Sequence, residues 1–400
     1  MSRRSVEGRI PAAYIGKEPG YIKHELLKTY LEQLVLIIGM AADRLGVGEL
    51  CYVDCFAGPW KDESSDLSST SIATSLQILD KCRRELDRQR HPMAIRALYV
   101  ERNPASFARL DRYLATKCPA GISAEAKEGD FVELRKEILK WCGDGAFCFF
   151  FVDPTQWTPA SVKVLAPLLK RERSEFLINF MYDFLNRAMS MADFRLQMRD
   201  LLGEVPSVED LHGWVREQKI LSTYRRNLKQ QMPASRRYPP RSAYIRVLDA
   251  TKERTKYHLV YLTTHPHGII VFMQASEKLE PLQKLVRAET KQRARVERTG
   301  QSELFSASEV VDSDADIVDI KSVENDWLVR LSKEPRKFDE AAFATLMEET
   351  DWLPGDLQRA LGNLIKAGRV RNLDSDGKRR LNFLHFKGEG EHLQLVVEAT

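Results

Sequence analysis

The amino-acid sequence predicts an α/β protein, a mostly parallel sheet covered by helices, followed by a C-terminal winged-helix domain. Segments of strand length alternate with helical segments along the first half of the chain, which is the pattern of a parallel sheet. The segment 146–154 is apolar on both faces, as expected for a central strand that is buried on both sides.

The expected elements follow one another in a regular order. Apolar residues at helical spacing predict a first helix over 22–45, and Asn103 before Pro104 is a typical start for a helix over 104–116. The five strands expected to be parallel cover 49–55, 95–101, 123–128, 146–154 and 175–182.

Two further apolar segments, 257–265 and 268–274, flank a Pro-His-Gly turn and are predicted to form an antiparallel hairpin. A parallel sheet that ends in such a hairpin has the strands of a Rossmann-like class I methyltransferase fold. We therefore expect a methyltransferase-like domain over 1–286, with a basic helical insertion at about 184–248.

The C-terminal part of the sequence predicts a linker and a second domain. The polar segment 287–322 has little periodicity after about residue 298 and is interpreted as a helix that frays into a linker. Three helical segments then precede two strand-like segments, 369–373 and 379–386, joined by Asp-Ser-Asp-Gly. This order predicts a winged helix within 323–400.

Composition and cysteine usage favour a soluble, cytoplasmic protein. The chain is 43% apolar and 30% charged, and its longest apolar stretches are too short to span a bilayer. No apolar core follows the N-terminal arginines, so no secretory signal is expected. The six cysteines include no CxxC pair, which indicates reduced thiols, and we expect no metal site at Cys51 and Cys55 because they flank a strand.

Basic residues are concentrated in two places although the net charge is only +4. The segment from Gln218 to Leu248 has no acidic residue, and tyrosines are interleaved with its cations, a pattern that attracts nucleic-acid phosphate. A second basic group is expected on the wing, where a protein-binding winged helix is the alternative. The predicted contacts are Arg225, Arg226, Lys229, Arg236, Arg237 and Arg241 in the first group, and Arg369, Arg371, Lys378 and Arg379 in the second.

An acidic residue ends or closely follows each of the first four predicted strands. These residues are Asp54, Glu101, Asp130 and Asp153. Ligands of open α/β sheets bind at the carboxyl ends of the strands, so the pattern predicts a cofactor site. Taken singly, each residue is equally typical of a turn or a helix cap.

The chemistry of this pattern fits S-adenosylmethionine (SAM). Asp54 is suited to the ammonium group, Glu101 to the ribose hydroxyls, and Asp130 to the adenine amino group, with Phe131 packing on the ring. A pyrophosphate fits less well, because the turn has one glycine where the dinucleotide fingerprint needs three. The turn that would approach the cofactor consists of Phe56, Ala57, Gly58 and Pro59, with Gly58 lacking a Cβ atom.

The fourth predicted strand ends in 153-DPTQW-157. Amino-methyltransferases of nucleic acids carry Asp/Asn-Pro-Pro-aromatic at this place, where acceptors bind an exocyclic amine and the aromatic ring stacks on a flipped base. Asp153, Pro154 and Trp157 are therefore the predicted catalytic residues. The alternative is a strand that ends at proline, followed by a core tryptophan.

Several motifs together resemble the three-Cys-motif partner (TcmP) family over about residues 20–275. They are 24-HELLKTYL-31, 53-VDCFAGP-59, 99-YVE-101, 129-GDF-131, 151-FVDPTQW-157, 178-INFMYDFLNR-187 and 259-LVYLTTH-265. The resemblance implies a methyltransferase-fold protein encoded beside a three-cysteine, radical-SAM-type partner. Within it, Arg187 is suited either to a substrate phosphate or to an ion pair on the helix surface.

Three residues depart from the family pattern. Thr155 and Gln156 stand where the family is closer to Phe-Gly, and Trp60 stands where the cofactor turn usually has glycine. The first function expected is a SAM-dependent methyltransferase, or SAM-binding subunit, acting on DNA or RNA. The departures support the alternative, a non-catalytic DNA-repair adaptor that positions the partner.

The linker contains 301-QSELF-305. Gln301 followed by Leu304 and Phe305 resembles the pentapeptide with which bacterial replication and repair proteins bind the sliding clamp. Exposed apolar residues in a polar linker tend to mark a binding site. The alternative is a helix end that packs on the first domain.

Overall fold

The computed structural model of the protein describes residues 10–58, 67, 69–189, 191–234, 238–300, 318–375 and 382–396. Several predicted residues lie outside this part of the chain. They are Pro59 and Trp60 of the cofactor turn, Arg236 and Arg237 of the basic segment, Gln301, Leu304 and Phe305 of the linker motif, and Lys378 and Arg379 of the wing.

The first domain is built on a seven-stranded sheet with the order β3-β2-β1-β4-β5-β7-β6. The first five strands are parallel, and β7 runs antiparallel to both β5 and β6. The strands are β1 Glu49–Asp54, β2 Ala94–Glu101, β3 Ser123–Glu128, β4 Phe147–Val152, β5 Ser174–Phe180, β6 Arg241–Leu248 and β7 Thr255–Thr263. The predicted α/β class and all five parallel strands are confirmed.

Helices cover both faces of this sheet. They are α1 Glu18–Met40, α2 Ala42–Leu45, α3 Ser71–Arg88, α4 Pro104–Lys117, α5 Phe131–Cys142, α6 Val162–Leu169, α7 Tyr182–Ala188, α8 Arg195–Leu202, α9 Gly213–Gln231 and α10 Pro266–Thr299. Alternate side chains of β7 enter different cores, Leu259 with α1 and α10, and Val260 with α6 and α9. In the part of the chain that the structure describes, no helix has the length and apolar character needed to cross a membrane.

The prediction that 268–274 is a strand is wrong, because this segment lies inside α10. The antiparallel hairpin is formed instead by β6 and β7, one element earlier in the chain. Pro266 occupies the first turn of α10, and the ring of His265 accepts a hydrogen bond from the backbone N–H of His267 at 3.1 Å, which caps the helix. A short apolar run fits a buried strand and a buried helix equally well, and here these start signals decide for the helix.

Gly268 lies where the start of α10 approaches β7. A Cβ atom at this position would lie 2.4 Å from the hydroxyl of Tyr261 and 2.9 Å from Oγ1 of Thr263. We expect Gly268→Ala to lower the free energy of unfolding by about 1–3 kcal/mol, because these buried neighbours must shift. Urea unfolding measures the effect. Gly20→Ala is the matched control, since Gly20 lies in α1 with open space around its Cβ position, and alanine there should be neutral or slightly stabilising.

The C-terminal domain is a winged helix, as predicted. It contains the helices α11 Ile320–Arg330, α12 Glu340–Thr350 and α13 Pro354–Lys366, and the strands β8 Arg336–Phe338, β9 Val370–Asn372 and β10 Glu391–Leu395. The strands form an antiparallel sheet in the order β8-β10-β9.

The second wing strand is not where the sequence predicted it. Residues 382–386, the described end of the segment predicted as a strand, are not in a strand, and β9 pairs with β10 instead. The backbone of Leu384 is bound by the side chain of Gln358, which accepts from its N–H at 2.9 Å and donates to its carbonyl at 3.0 Å. This side chain fixes the segment against α13, and Phe386 stacks on Phe343 with the ring centres 4.5 Å apart.

Candidate functional site

Asp54 ends β1 at the carboxyl edge of the sheet and is completely buried. One carboxylate oxygen accepts a hydrogen bond from the backbone N–H of Phe56 at 3.1 Å, and the other accepts from the hydroxyl of Ser71 at 2.6 Å. Loss of solvation raises the pKa of Asp54 to about 7, against the lowering effect of these two hydrogen bonds. Asp54 therefore joins the turn after β1 to the start of α3.

The turn after β1 is held by the ends of the two neighbouring strands. The N–H of Cys55 donates to the carbonyl of Phe151 at 3.0 Å, and the N–H of Ala57 donates to the carbonyl of Val100 at 2.9 Å. Ala57 and Gly58 are buried as a result. The backbone of the predicted cofactor turn thus lies directly over the carboxyl ends of β2 and β4.

Glu101 and Asp130 lie on one side of this turn. Glu101 is 2% exposed and accepts a hydrogen bond from the N–H of Asn103 at 2.5 Å, and burial raises its pKa. Asp130 is the N-cap of α5, accepting from the N–H of Val132 at 2.7 Å, and the buried ring of Phe131 lies 5.1 Å from the ring of Phe56. The structure therefore brings the predicted ribose and adenine residues to one cleft.

This cleft is narrow. It encloses about 40 Å³ between residues that the sequence singled out and the loop after β4, namely Cys55, Phe56, Val100, Glu101, Arg102, Gly129, Asp130, Phe131, Pro154, Thr155, Gln156 and Pro159. Sites for small molecules generally enclose roughly 300 Å³ or more. Asp54 is not part of this lining.

Asp153 follows β4 at the same edge and is held by two residues that the sequence analysis did not select. Lys23 of α1 forms an ion pair with one carboxylate oxygen, and the amide of Asn179 on β5 donates to the other at 2.8 Å. The carbonyl oxygen of Asn179 is buried without a hydrogen-bond partner among the described residues. The only sequence signal for these two residues is that each stands in or beside a segment carrying the family resemblance.

Trp157 lies apart from the cleft. Its ring packs against Phe184 of α7 and Phe194, each with a ring-centre distance of 6.4 Å. Pro154, Thr155 and Gln156 all line the cleft. Pro154 is buried, and Thr155 and Gln156 are exposed. The structure therefore separates the three predicted catalytic residues. Pro154 lines the cleft, Asp153 lies at the same edge but outside the lining, and Trp157 packs against α7.

The four predicted contacts of the basic segment that the structure describes are bound within the protein. The buried guanidinium of Arg225 contacts Asp351 at 2.9 Å and the carbonyl of Ser242 at 2.7 Å. Lys229 and the buried Arg241 contact Glu348 of α12 at 2.6 and 3.4 Å. These three cations join the first domain to the winged helix. The fourth, Arg226, is half exposed and forms an ion pair with Glu204.

The two described cations of the wing have a different environment. Arg369 and Arg371 are exposed at β9 and have no side-chain hydrogen bond or ion pair within the described ranges. Within the described part of the chain, no acidic side chain pairs with either guanidinium group.

Comparison with known proteins gives one family match and two similar solved structures. Residues 295–377 match the GMT-like wHTH domain family. Among curated proteins, none is recognisably similar to the chain. Two solved structures to which the chain is similar in part are both methyltransferases. One is the O-methyltransferase TomG from Streptomyces achromogenes, involved in tomaymycin synthesis and solved with SAM, at 11% identity and a TM-score of 0.30 over 58% of this chain and 80% of that one.

The second is loganic acid methyltransferase with SAH, at 8% identity and a TM-score of 0.28 over 73% of this chain and 93% of that one. Both TM-scores are low, so the assignment of the fold depends on the strand order of the chain itself. Five parallel strands followed by an antiparallel β7 between β5 and β6 form a methyltransferase-like sheet. The first domain therefore has the strand order of a methyltransferase-like sheet, and the second is a winged helix.

Proposed function

We propose that this protein is SAM-dependent and acts on or with nucleic acid, in DNA modification or repair. The observation that carries the proposal is the edge of the sheet where Asp54, Glu101 and Asp130 follow three adjacent parallel strands. Acidic acceptors at that edge suit the ammonium, hydroxyl and amino groups of SAM. The cofactor supplies an electrophilic methyl group.

The cleft must widen for the cofactor to bind. Glu101, Asp130 and Phe131 have the chemistry for the ribose and the adenine, but the space of about 40 Å³ is too small for a nucleoside. Phe56 and the exposed side chains of Thr155 and Gln156 bound this space. Outward movement of these three residues is the change that binding requires.

On the substrate side, we propose that Asp153 and the carbonyl oxygen of Asn179 face the target group. A buried acceptor without a partner is costly, and a donor such as an exocyclic amine would satisfy it. The amide of Asn179 and the ammonium of Lys23 hold Asp153 in position. The exposed Arg369 and Arg371 of the wing would contact phosphate.

An alternative function is a non-catalytic adaptor that positions a three-cysteine, radical-SAM-type partner on DNA. Two observations favour it: the narrow cleft and the ion pair by which Lys23 already occupies Asp153. In both proposals, the ground for expecting a three-cysteine, radical-SAM-type partner is the resemblance to the three-Cys-motif partner family.

Calorimetry with SAM tests the first proposal and separates it from the second. We expect the wild-type protein to bind SAM and Glu101→Gln to bind it roughly tenfold or more weakly, because a charged acceptor for the ribose is lost. Glu128→Gln is the matched control, since Glu128 is in register with Glu101 on the neighbouring strand but is exposed outside the cleft. A wild-type protein that does not bind SAM would contradict the proposal. Binding without methyl transfer to DNA or RNA would favour the adaptor.

The linker motif is a separate proposal, which rests on the sequence of 301–305. We propose that Gln301, Leu304 and Phe305 bind the sliding clamp. A double substitution, Leu304→Ala with Phe305→Ala, is expected to abolish co-purification with the clamp. Retention of the clamp by this variant would show that the motif is not the contact.

A further inference from the structure

We propose that a second, basic pocket at the carboxyl edge of the sheet binds the phosphodiester backbone of a single nucleic-acid strand and stacks one of its bases. This inference rests on the proposed function and names the state of the nucleic acid that the protein binds. The pocket lies between α7, the start of α9 and the β6–β7 turn, and it encloses about 590 Å³. Arg187, Arg216, Arg246 and Arg254 line it together with Trp214.

Most of the positive charge in this pocket is held in place by the protein. Arg254 donates to Asp183 at 2.7 Å, and Nε of Arg216 donates to the side chain of Asn186 at 2.8 Å. Arg187 is two-thirds exposed and lies 3.7 Å from the second oxygen of Asp183. Such anchoring limits the side-chain entropy that is lost when a phosphate binds.

Among the described residues, Arg246 is the arginine of the pocket that is not held by a partner. Its guanidinium has no hydrogen bond or ion pair within the described residues, and it lies over the ring of Trp214 at 5.0 Å. Trp214 is itself 48% exposed. A cation beside an exposed aromatic face is the combination that binds single strands, because the cation attracts phosphate and the ring stacks on any base.

The acidic residues of the pocket do not cancel this charge. Asp183 is shared between Arg187 and Arg254, and Glu217 accepts from the hydroxyl of Thr255 at 2.7 Å. Glu253 is bound by Arg287 and Lys291, which lower its pKa to about 2 and neutralise it from outside the pocket. The four arginines of the lining therefore outnumber the two carboxylates, Asp183 and Glu217, that no cation outside the pocket neutralises, and the pocket has a net positive charge.

The pocket is also placed for access to the candidate site. Tyr182 of its lining is separated by two residues from Asn179, which is bonded to Asp153. Because β7 is antiparallel to β5, Thr255 at the start of β7 lies at the edge where β4 and β5 end. A strand held in the pocket would thus pass along the same edge of the sheet as Asp153 and the cofactor cleft.

Fluorescence anisotropy with a labelled single-stranded oligonucleotide of mixed sequence tests this pocket. We expect Arg246→Gln to weaken binding about tenfold and to lower the salt slope by about 0.7, the value for one phosphate contact on a single strand. Trp214→Ala should weaken binding about tenfold without changing the slope, since stacking releases no counterions. Arg112→Gln, on the exposed face of α4, is the control and should bind like the wild type.

The outcomes separate this pocket from the cofactor site. Both substitutions lie outside the cofactor cleft, so the variants should retain SAM binding in calorimetry. Wild-type affinity and slope in both variants, with unchanged melting curves, would overturn the pocket whatever the SAM result. A protein that loses oligonucleotide affinity in both variants but never binds SAM would support the pocket and contradict the cofactor proposal.

Discussion

Asp54→Asn is expected to weaken SAM binding roughly 10- to 100-fold while it raises the stability of the folded protein above neutral pH. The loss of affinity follows because, once the cleft has widened, the Asp54 carboxylate is proposed to pair with the ammonium group, directly or through water, and a carboxylate contributes more to such a pair than a neutral amide. The gain in stability follows because Asp54 is completely buried and its pKa is raised to about 7. An amide can keep the hydrogen bond from Phe56 and turn its N–H toward the Ser71 oxygen.

The direction of the stability change follows from the pH dependence of Asp54 ionisation. An unfolded aspartate loses its proton near pH 3.9, whereas folded Asp54 loses it near pH 7. Between these values the folded protein binds more protons, so stability falls as pH rises, by up to about 4 kcal/mol above pH 7. Asp54→Asn removes this loss.

Thermal unfolding and calorimetry at about pH 6 and about pH 8 measure both effects. Wild-type SAM affinity should rise between these pH values as Asp54 ionises, whereas the affinity of Asp54→Asn should stay flat. Asp111→Asn, an exposed residue of α4, is the control and should change neither quantity appreciably. Equal SAM affinity in Asp54→Asn and wild type would exclude Asp54 as a cofactor residue.

The parallel sheet could be predicted from the sequence because its strands carry their own signals. Segments such as 146–152 are apolar at every position, and each ends in an acidic or turn-forming residue. The prediction of a strand over 268–274 was wrong because the signals there are ambiguous, since an apolar run of this length fits a helix equally well. Similarly, nothing local to residues 379–386 shows that Gln358 binds the backbone of Leu384.

The candidate site was predictable where a single strand end defines a residue and unpredictable where a partner comes from elsewhere. Asp54, Glu101 and Asp130 share one edge because parallel strands end together. Lys23 contacts Asp153, which is 130 positions later in the sequence, and hydrophobic periodicity does not predict a contact over such a separation. The ion pairs of Arg225 and Arg241 were missed for the same reason, because their acidic partners are more than 100 positions away in the sequence. The sequence of this segment therefore indicates a basic surface, although these two charges are compensated in the fold.

Glu348→Ala is expected to have the largest effect on stability among the polar residues between the two domains. Glu348 accepts hydrogen bonds from Lys229 at 2.6 Å and from the backbone N–H of Ser242 at 3.0 Å, and it lies 3.4 Å from the guanidinium of Arg241. Arg241 is only 6% exposed, so removing the carboxylate leaves a buried charge without its ion-pair partner. Breaking a buried pair in this way costs about 3–5 kcal/mol, because water does not replace the lost partner.

The neighbouring residue provides a control that separates this effect from a general loss of charge on α12. Glu349 forms an ion pair with Arg330 at 2.6 Å within the winged helix, but its side chain is 52% exposed, so Glu349→Ala should cost about 1 kcal/mol or less. Glu348→Gln should fall between the two, since an amide oxygen still accepts from the Ser242 N–H without compensating Arg241. Urea unfolding of the three variants tests this order. Equal urea midpoints for Glu348→Ala and Glu349→Ala would mean that Lys229 of α9 and Arg241 of β6 do not need Glu348 as a partner. These two cations would then again be candidates for contacts with phosphate.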